Sequence, residues 1–155
     1  MSENTSTNPN TFFSNEEKSG IVKAIQEAEN ATSGEIRLHL EEKVNKDVYE
    51  RAKEIFIKIG MGKTAKKNGV LIYLVTRDRK FAIIGDKGID EVVLENFWED
   101  IVSEATRQFR DGEFYEGICQ AIRQIGEKLK QYFPHQKDDV NELPDTISTG
   151  DSKEE

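Results

Sequence analysis

The chain has 155 residues, a formal net charge of -8 and a hydrophobic fraction of 35%. This length suits one domain whose core needs neither disulfides nor a structural metal. Residues 137–155 hold seven acidic and two basic side chains, so the acidity belongs largely to a C-terminal tail. The remainder has no strongly basic stripe to neutralise phosphates, and nucleic acid is therefore excluded as an expected partner.

The expected compartment follows from the cysteine count and from the apolar segments. The single cysteine, Cys119, cannot form an intramolecular disulfide and fits a reducing environment. The first ten residues lack the apolar run of a signal peptide. No segment reaches the roughly 20 apolar residues that span a bilayer. We therefore expect a cytoplasmic protein without a membrane anchor.

The first half of the chain predicts a helix, a strand and a second helix. Ser14 and Glu17 have the spacing of a capping box, and apolar residues then recur at helical spacing. Residues 35–41 alternate with a period of two, which predicts a strand with one apolar face. Asp47 can cap a second amphipathic helix, which is expected to end near Gly60.

The second half predicts two strands followed by two helices. Residues 70–75 are continuously apolar, which is typical of a strand buried on both faces. A short polar gap makes 81–84 its antiparallel hairpin partner. Apolar periodicity then predicts one long helix over 89–109 and a last helix over 115–129, closed off by Pro134.

The predicted order is α-β-α-β-β-α-α, and it indicates an α/β fold. The first β-α-β unit should be parallel, and the third strand should return antiparallel. Helices on both sides of such a sheet give an α/β/α sandwich with a small mixed central sheet. Residues 12–134 are expected to form this domain, between a disordered N-terminal tail at 1–11 and a disordered acidic C-terminal tail at 135–155.

The predicted topology brings an acidic loop, G-D-K-G-I-D at 85–90, close to the start of the first strand. Asp86 and Asp90, with Glu35 from that strand, would offer hard oxygen ligands suited to calcium or magnesium. The alternative is a strand-to-helix turn in which Asp86 or Asp90 caps the next helix. Both interpretations stay open at this level.

Other motifs are less informative. Residues 60–64, G-M-G-K-T, imitate the end of a phosphate-binding loop, but Ile57 replaces the first glycine and the motif follows a helix. His39 and His135 are too few and too separated to form a zinc site with Cys119. His39 is expected to be packed or hydrogen-bonded, and Cys119 to be buried. No serine or cysteine nucleophile motif occurs, so a hydrolase would have to use a cation and acidic residues.

Several short motifs together resemble the TPM domain family over about residues 12–134. They are T-S-G-E-I-R at 32–37, N-G-V-L-I-Y at 68–73, D-R-K-F-A-I-I-G-D-K-G-I at 78–89, F-W at 97–98, D-G-E-F-Y-E-G-I at 111–118 and Y-F-P at 132–134. Each motif is short, but their order and spacing are specific.

The resemblance implies an α/β/α sandwich with a mixed sheet. Members of the family have been linked to acid phosphatase activity, photosystem repair, receptor assistance and binding of divalent cations. Many carry a signal peptide and a membrane anchor, whereas this chain looks like the cytosolic bacterial branch. The glycine-rich G-Y-G loop of the family appears here as G-D-K-G at 85–88, and this acidic departure affects what the loop binds.

We therefore expect a divalent-cation-binding module with a regulatory or interaction role and an unidentified protein partner. Glu35, Asp86 and Asp90 are its expected metal ligands, for calcium or magnesium. The alternative function, implied chiefly by the resemblance, is a metal-assisted acid phosphatase-like hydrolase. In that case Asp86 and Asp90 hold the cation, and Arg37 contacts the phosphate.

Overall fold

A computed structural model describes residues 7–94, 96–135, 143 and 145–150. A 3-10 turn at Met61–Lys63 follows the second helix. The helices and strands are α1 (Asn15–Glu29), β1 (Glu35–Glu41), α2 (Val48–Lys58), β2 (Gly69–Val75), β3 (Lys80–Gly85), α3 (Lys87–Asp90), α4 (Glu99–Arg110), α5 (Phe114–Tyr132) and β4 (Ser148–Thr149).

The four strands form one mixed sheet in the order β3-β2-β1-β4. β1 and β2 are parallel, with Glu35 opposite Gly69 and Glu41 opposite Val75. β2 and β3 form the antiparallel hairpin, in which Val75 lies opposite Lys80. The predicted parallel β-α-β unit and its antiparallel return strand are confirmed.

Helices cover both faces of the sheet, which confirms the α/β/α sandwich. One core lies between the sheet and α1, α4 and α5, and β1 contributes Ile36, Leu38 and Leu40 to it. The second core lies beneath α2, where β2 contributes Leu71 and Tyr73. All seven residues of β2 are buried, as its continuous apolar run predicted.

The predicted starts of α1 and α2 are confirmed by their capping hydrogen bonds. Ser14 Oγ accepts from the Glu17 N–H at 3.1 Å, and Glu17 Oε1 accepts from the Ser14 N–H at 3.0 Å. At α2, Asp47 Oδ2 accepts from the N–H groups of Tyr49 and Glu50. Local side-chain chemistry therefore sets where both helices begin.

The single long helix predicted over 89–109 is wrong. α3 ends at Asp90 and α4 begins at Glu99, and both helices pack against β3. The apolar residues that suggested one continuous face serve different purposes. Ile89 is buried in the first core, whereas Val92 in the intervening turn is 50% exposed. Periodicity could not separate these roles, because a turn of suitable length preserves the apparent spacing.

The sheet also has a strand that the sequence did not predict. Residues 135–155 were expected to be disordered, but Ser148 and Thr149 pair in parallel with His39 and Leu40 of β1. Leu143 is buried in the second core. A two-residue strand carries no periodic signal, which is why the pattern missed it. Of the two predicted tails, residues 1–6, 136–142, 144 and 151–155 lie outside the described residues.

Candidate functional site

The acidic loop and the start of β1 lie at the same end of the sheet, as the topology predicted. Glu35 is the register partner of Gly69, the first residue of β2. The carbonyl oxygen of Gly69 accepts a hydrogen bond from the Asp86 N–H at 2.9 Å. Gly69 is therefore the backbone link between Glu35 and Asp86.

Asp86 caps α3 and keeps one carboxylate oxygen unused. Its Oδ1 accepts from the Lys87 N–H at 2.7 Å, so the capping interpretation of this residue is confirmed. Its residue surface is 9% exposed, and Oδ2 is buried without a hydrogen-bond partner. A buried carboxylate oxygen without a donor is energetically costly, so Oδ2 is a ready acceptor for a donor or a cation.

Asp90 lies one turn beyond Asp86 and responds to its charge. Partial burial, together with the negative charge of Asp86, raises the pKa of the Asp90 carboxyl, while the positive charge of Lys53 opposes the shift. The Asp90 N–H also bonds to the Asp86 carbonyl at 3.1 Å. The two aspartates thus form a local centre of negative potential at the start of α3.

Gly88 lets the backbone of α3 approach the turn before β2. Its N–H donates to the Lys67 carbonyl at 2.9 Å. A Cβ at this position would lie 2.4 Å from the carbonyl oxygens of both Lys66 and Lys67. Glycine is required here because any side chain would collide with these backbone oxygens.

Glu35 is engaged on the other side of Gly69. Its carboxylate is buried, and Oε1 accepts from the Leu143 N–H at 2.6 Å. The negative charge of Glu35 also lies close enough to Glu29 to affect its ionisation. Glu29 Oε2 accepts from the Ile36 N–H at 2.8 Å. Burial, a hydrogen bond with Asp145 and the nearby charges of Asp145 and Glu35 raise the pKa of Glu29 to about 9. Glu35 therefore belongs to a second group of carboxyls.

The three expected metal ligands do not form a ready-made cluster. Within residues 7–94, 96–135, 143 and 145–150, no group of three or more histidine, cysteine, aspartate or glutamate side chains has the arrangement needed to hold a metal ion. Asp86 and Asp90 lie together, whereas the Glu35 carboxylate accepts from the Leu143 N–H. The three-residue cation site stays a prediction.

Arg37 lies on the same face of β1 as Glu35, two residues further along the strand. Its Nη1 is 3.5 Å from the Ile59 carbonyl, and its Nε is buried without a hydrogen-bond partner. Burial lowers the pKa of its guanidinium. Arg37 therefore has an unused N–H donor that could contact a phosphate. The phosphate contact itself stays a prediction.

A buried polar network on the α2 side of β1 was missed by the sequence interpretation. Glu41 accepts hydrogen bonds from Arg51 Nε at 3.0 Å, from Arg51 Nη2 at 2.8 Å and from the Tyr73 hydroxyl at 2.5 Å. His39 Nε2 is 3.5 Å from Glu41 Oε2, and its Nδ1 is 2.7 Å from Ser148 Oγ. The network joins β1, β2, α2 and β4.

These donors stabilise the ionised form of the Glu41 carboxylate. Burial alone would raise the pKa of its carboxyl, but hydrogen bonds from His39, Arg51 and Tyr73 outweigh burial and lower the pKa to about 2. Burial, together with the Glu41 hydrogen bond, raises the pKa of Tyr73. The sequence did contain a signal for this network: a fully apolar β2 requires both sheet faces to be covered, so the polar alternate residues of β1 had to be paired inside.

The relationship to known proteins agrees with the fold. The TPM domain profile matches residues 6–128 of the chain. The chain belongs to the TPM domain family. A comparison with curated proteins gave no significant match.

Several solved structures resemble this TPM domain. The NMR structure of the BA42 protein from the psychrophilic bacterium Bizionia argentinensis is 46% identical and has a TM-score of 0.84. The similarity covers 90% of this chain and 96% of that one. The N-terminal domain of a protein from P. gingivalis is 17% identical with a TM-score of 0.66, over 81% and 83% of the two chains, and supports the fold alone.

The family match includes β1, the acidic loop and most of α5, but it ends before Leu143 and β4. Across the described ranges of this TPM domain, no helix combines the length and apolarity needed to cross a membrane.

Proposed function

We propose that this TPM domain is a divalent-cation-binding module with a regulatory or interaction role, and that Asp86 and Asp90 are its principal ligands. The observation that carries the proposal is the buried, unpartnered Oδ2 of Asp86 beside a second aspartate. Two nearby negative charges in a partly desolvated site repel each other, and a bound cation relieves that repulsion.

Calcium and magnesium suit the oxygen chemistry of the loop. Calcium takes about six to eight oxygen ligands, including backbone carbonyls and waters, and magnesium usually keeps several waters. The carbonyls of Lys66 and Lys67 approach the same turn through Gly88. Glu35 can join the site when its carboxylate leaves the Leu143 N–H, so we propose Glu35 as a weaker ligand than Asp86.

An interaction role is supported by the segment that follows Asp90. Val92 is 50% exposed and Leu94 is 79% exposed, although both are large apolar residues. They line an open groove with Phe97 and Tyr132. Because this groove continues directly from α3, a cation that orders the end of α3 would also order one wall of the groove.

Calcium and magnesium titrations followed by NMR test the cation proposal. We expect the amide signals of 85–90 to shift in the wild-type protein and to stay unchanged in Asp86→Asn, which keeps a good helix cap but removes the charge. Asp78→Asn is the matched control, because Asp78 lies in the exposed hairpin turn at the opposite end of the sheet. Absence of any shift at millimolar calcium in the wild type would exclude the proposal.

A metal-assisted phosphate-ester hydrolase is the alternative function. The specific observation in its favour is that the buried Nε of Arg37 has no hydrogen-bond partner. Arg37 lies on the same face of β1 as Glu35. An assay of aryl phosphate hydrolysis with added magnesium tests it. Activity should fall in both Asp86→Ala and Arg37→Ala. Activity that survives both substitutions unchanged would point to a contaminant or to another site on the protein.

A further inference from the structure

The segment Ile147–Gly150 occupies the open edge of β1 through a short parallel pairing. Ser148 and Thr149 lie opposite His39 and Leu40, and the Gly150 N–H donates to the Leu40 carbonyl at 2.9 Å. This contact uses main-chain groups, which can be supplied by any extended peptide. Specificity therefore has to come from the side-chain positions.

Three consecutive side chains of this segment contact different parts of the domain. Ile147 packs against the first core. Ser148 Oγ lies 2.7 Å from His39 Nδ1, on the opposite face of the sheet. The Thr149 hydroxyl donates to the Asn10 side-chain oxygen at 2.9 Å. The alternation is that of a β-strand, with an apolar residue on one face and a hydroxyl on the other.

Gly150 is required by the network beneath it. A Cβ at this position would lie 2.6 Å from Glu41 Oε2 and 3.2 Å from His39 Nε2. Glu41 cannot yield readily, because Arg51 and Tyr73 hold both of its carboxylate oxygens. The buried network therefore leaves room for glycine at position 150 and sterically excludes any larger residue.

We propose that the β1 edge is a peptide-docking site for an extended segment with the pattern apolar–hydroxyl–any–glycine. Here the chain's own Ile147–Gly150 fills the site, and a partner protein with the same pattern competes for it. Each position has its own determinant: the first core takes the apolar residue, His39 takes the hydroxyl, and Glu41 requires glycine. The resident segment lies beyond the family match, which ends at residue 128.

The resident segment has a large advantage over a free peptide. A tethered ligand has an effective concentration of the order of millimolar, so a partner peptide binds the wild-type chain weakly. Gly150→Leu in the full chain should expel the segment from the edge and leave the site available. Gly62→Leu is the matched control, because a Cβ at Gly62 has nothing within 4 Å.

A labelled, end-blocked peptide with the sequence of residues 145–150, D-T-I-S-T-G, tests the proposal by fluorescence anisotropy. We expect it to bind the Gly150→Leu chain at least about tenfold more tightly than it binds the wild type or Gly62→Leu. The amide signals of His39 and Leu40 should shift in Gly150→Leu and return towards their wild-type positions when peptide is added. A peptide with alanine for serine and leucine for glycine should not bind.

Three results would overturn the proposal. The first is an unchanged His39 signal in Gly150→Leu, which would show that glycine is not required. The second is a folded, opened variant that fails to bind the peptide. The third is a concentration-dependent wild-type dimer that exchanges this segment, which would assign the edge to a second copy. If Gly150→Leu does not fold, Ser148→Ala serves instead, and equal peptide binding by Ser148→Ala and wild type would also contradict the proposal.

Discussion

Tyr73 and Glu41 show how a single buried hydrogen bond can stabilise this protein. The Tyr73 hydroxyl donates to Glu41 Oε1 inside the second core. We expect Tyr73→Phe to lower the free energy of unfolding at pH 7 by about 2 kcal/mol, since hydrogen bonds to charged groups contribute about 1.5–3 kcal/mol. Urea unfolding measures the difference, with Tyr49→Phe on the exposed surface as control.

The pH dependence of this effect has a defined sign. The pKa of Glu41 is lowered in the folded state from 4.5 to about 2. Its contribution to stability is therefore fully present above pH 4.5 and is lost as the pH falls towards 2. The decrease in the free energy of unfolding caused by Tyr73→Phe should therefore become smaller as the pH falls from 4.5 towards 2. An equal loss at pH 7 and pH 2.5 would contradict the assignment of the bond to the charged carboxylate.

The contribution of Glu29 to stability depends on pH in the opposite direction. Its folded-state pKa is raised from 4.5 to about 9, so the stability associated with its protonated form is present below pH 4.5 and is lost as the pH rises towards 9. Glu29→Gln keeps an acceptor for the Ile36 N–H and removes the titration. We expect this variant to be more stable than wild type at pH 8 by more than about 1 kcal/mol.

Urea unfolding at pH 5 and pH 8 measures the effect of Glu29→Gln. The control is Glu27→Gln, an exposed position on the same helix. Because Glu27 faces solvent, its substitution should leave the difference between the two pH values as in wild type. Parallel pH profiles for Glu29→Gln and wild type would show that Glu29 is ionised in the folded protein.

At the scale of elements, α3 depends on one close backbone contact. The Gly88 N–H bonds to Lys67, and a Cβ would meet two carbonyl oxygens at 2.4 Å. Because the opposing atoms are backbone, Gly88→Ala should displace α3 and lower the free energy of unfolding by about 1–3 kcal/mol. It should also weaken any cation binding at Asp86. Thermal unfolding and calcium titration measure both effects.

Gly62→Ala is the control for Gly88→Ala. A Cβ at position 62 would meet no atom within 4 Å, and the residue lies in the short 3-10 turn. Its substitution should change stability by less than about 0.5 kcal/mol. A loss of similar size in both variants would indicate a general effect of replacing glycine, and the close contact at α3 would then be unimportant.

The elements also show where sequence patterns are sufficient. β2 was predicted correctly because a continuous apolar run requires burial on both faces. The split between α3 and α4 was missed because Asp86 starts a single helical turn whose continuation is set by packing on β3. The acidic loop was therefore found from sequence, whereas the direction of the chain after Asp90 was not.

For the whole molecule, Leu143 and the segment Ile147–Gly150 are part of the folded domain. Leu143 is buried in the second core, and its N–H bonds to Glu35. Leu143→Ala should lower the free energy of unfolding by about 2–3 kcal/mol, because it removes apolar contacts from a filled core. It should also accelerate hydrogen exchange at Gly150, since the segment loses an anchor.

The control for Leu143→Ala is Leu94→Ala, the same substitution at a residue that is 79% exposed. It should change stability by less than about 0.5 kcal/mol. Chemical denaturation and amide hydrogen exchange give the comparison. Equal effects of the two substitutions would mean that residue 143 does not stabilise the domain in solution.

The sequence by itself determined the sandwich, the β1–β2–β3 topology and the position of the acidic loop. These features depend on local periodicity, caps and turn length, which are written within a few residues of one another. The tertiary structure decided which polar groups meet. Glu35 lies at the sheet end where the topology placed it, and its carboxylate accepts from the N–H of Leu143, a residue 108 positions away. His39 and Glu41 pair with Ser148, Arg51 and Tyr73. Such contacts depend on burial and chain crossing between distant segments, and no local pattern specifies them.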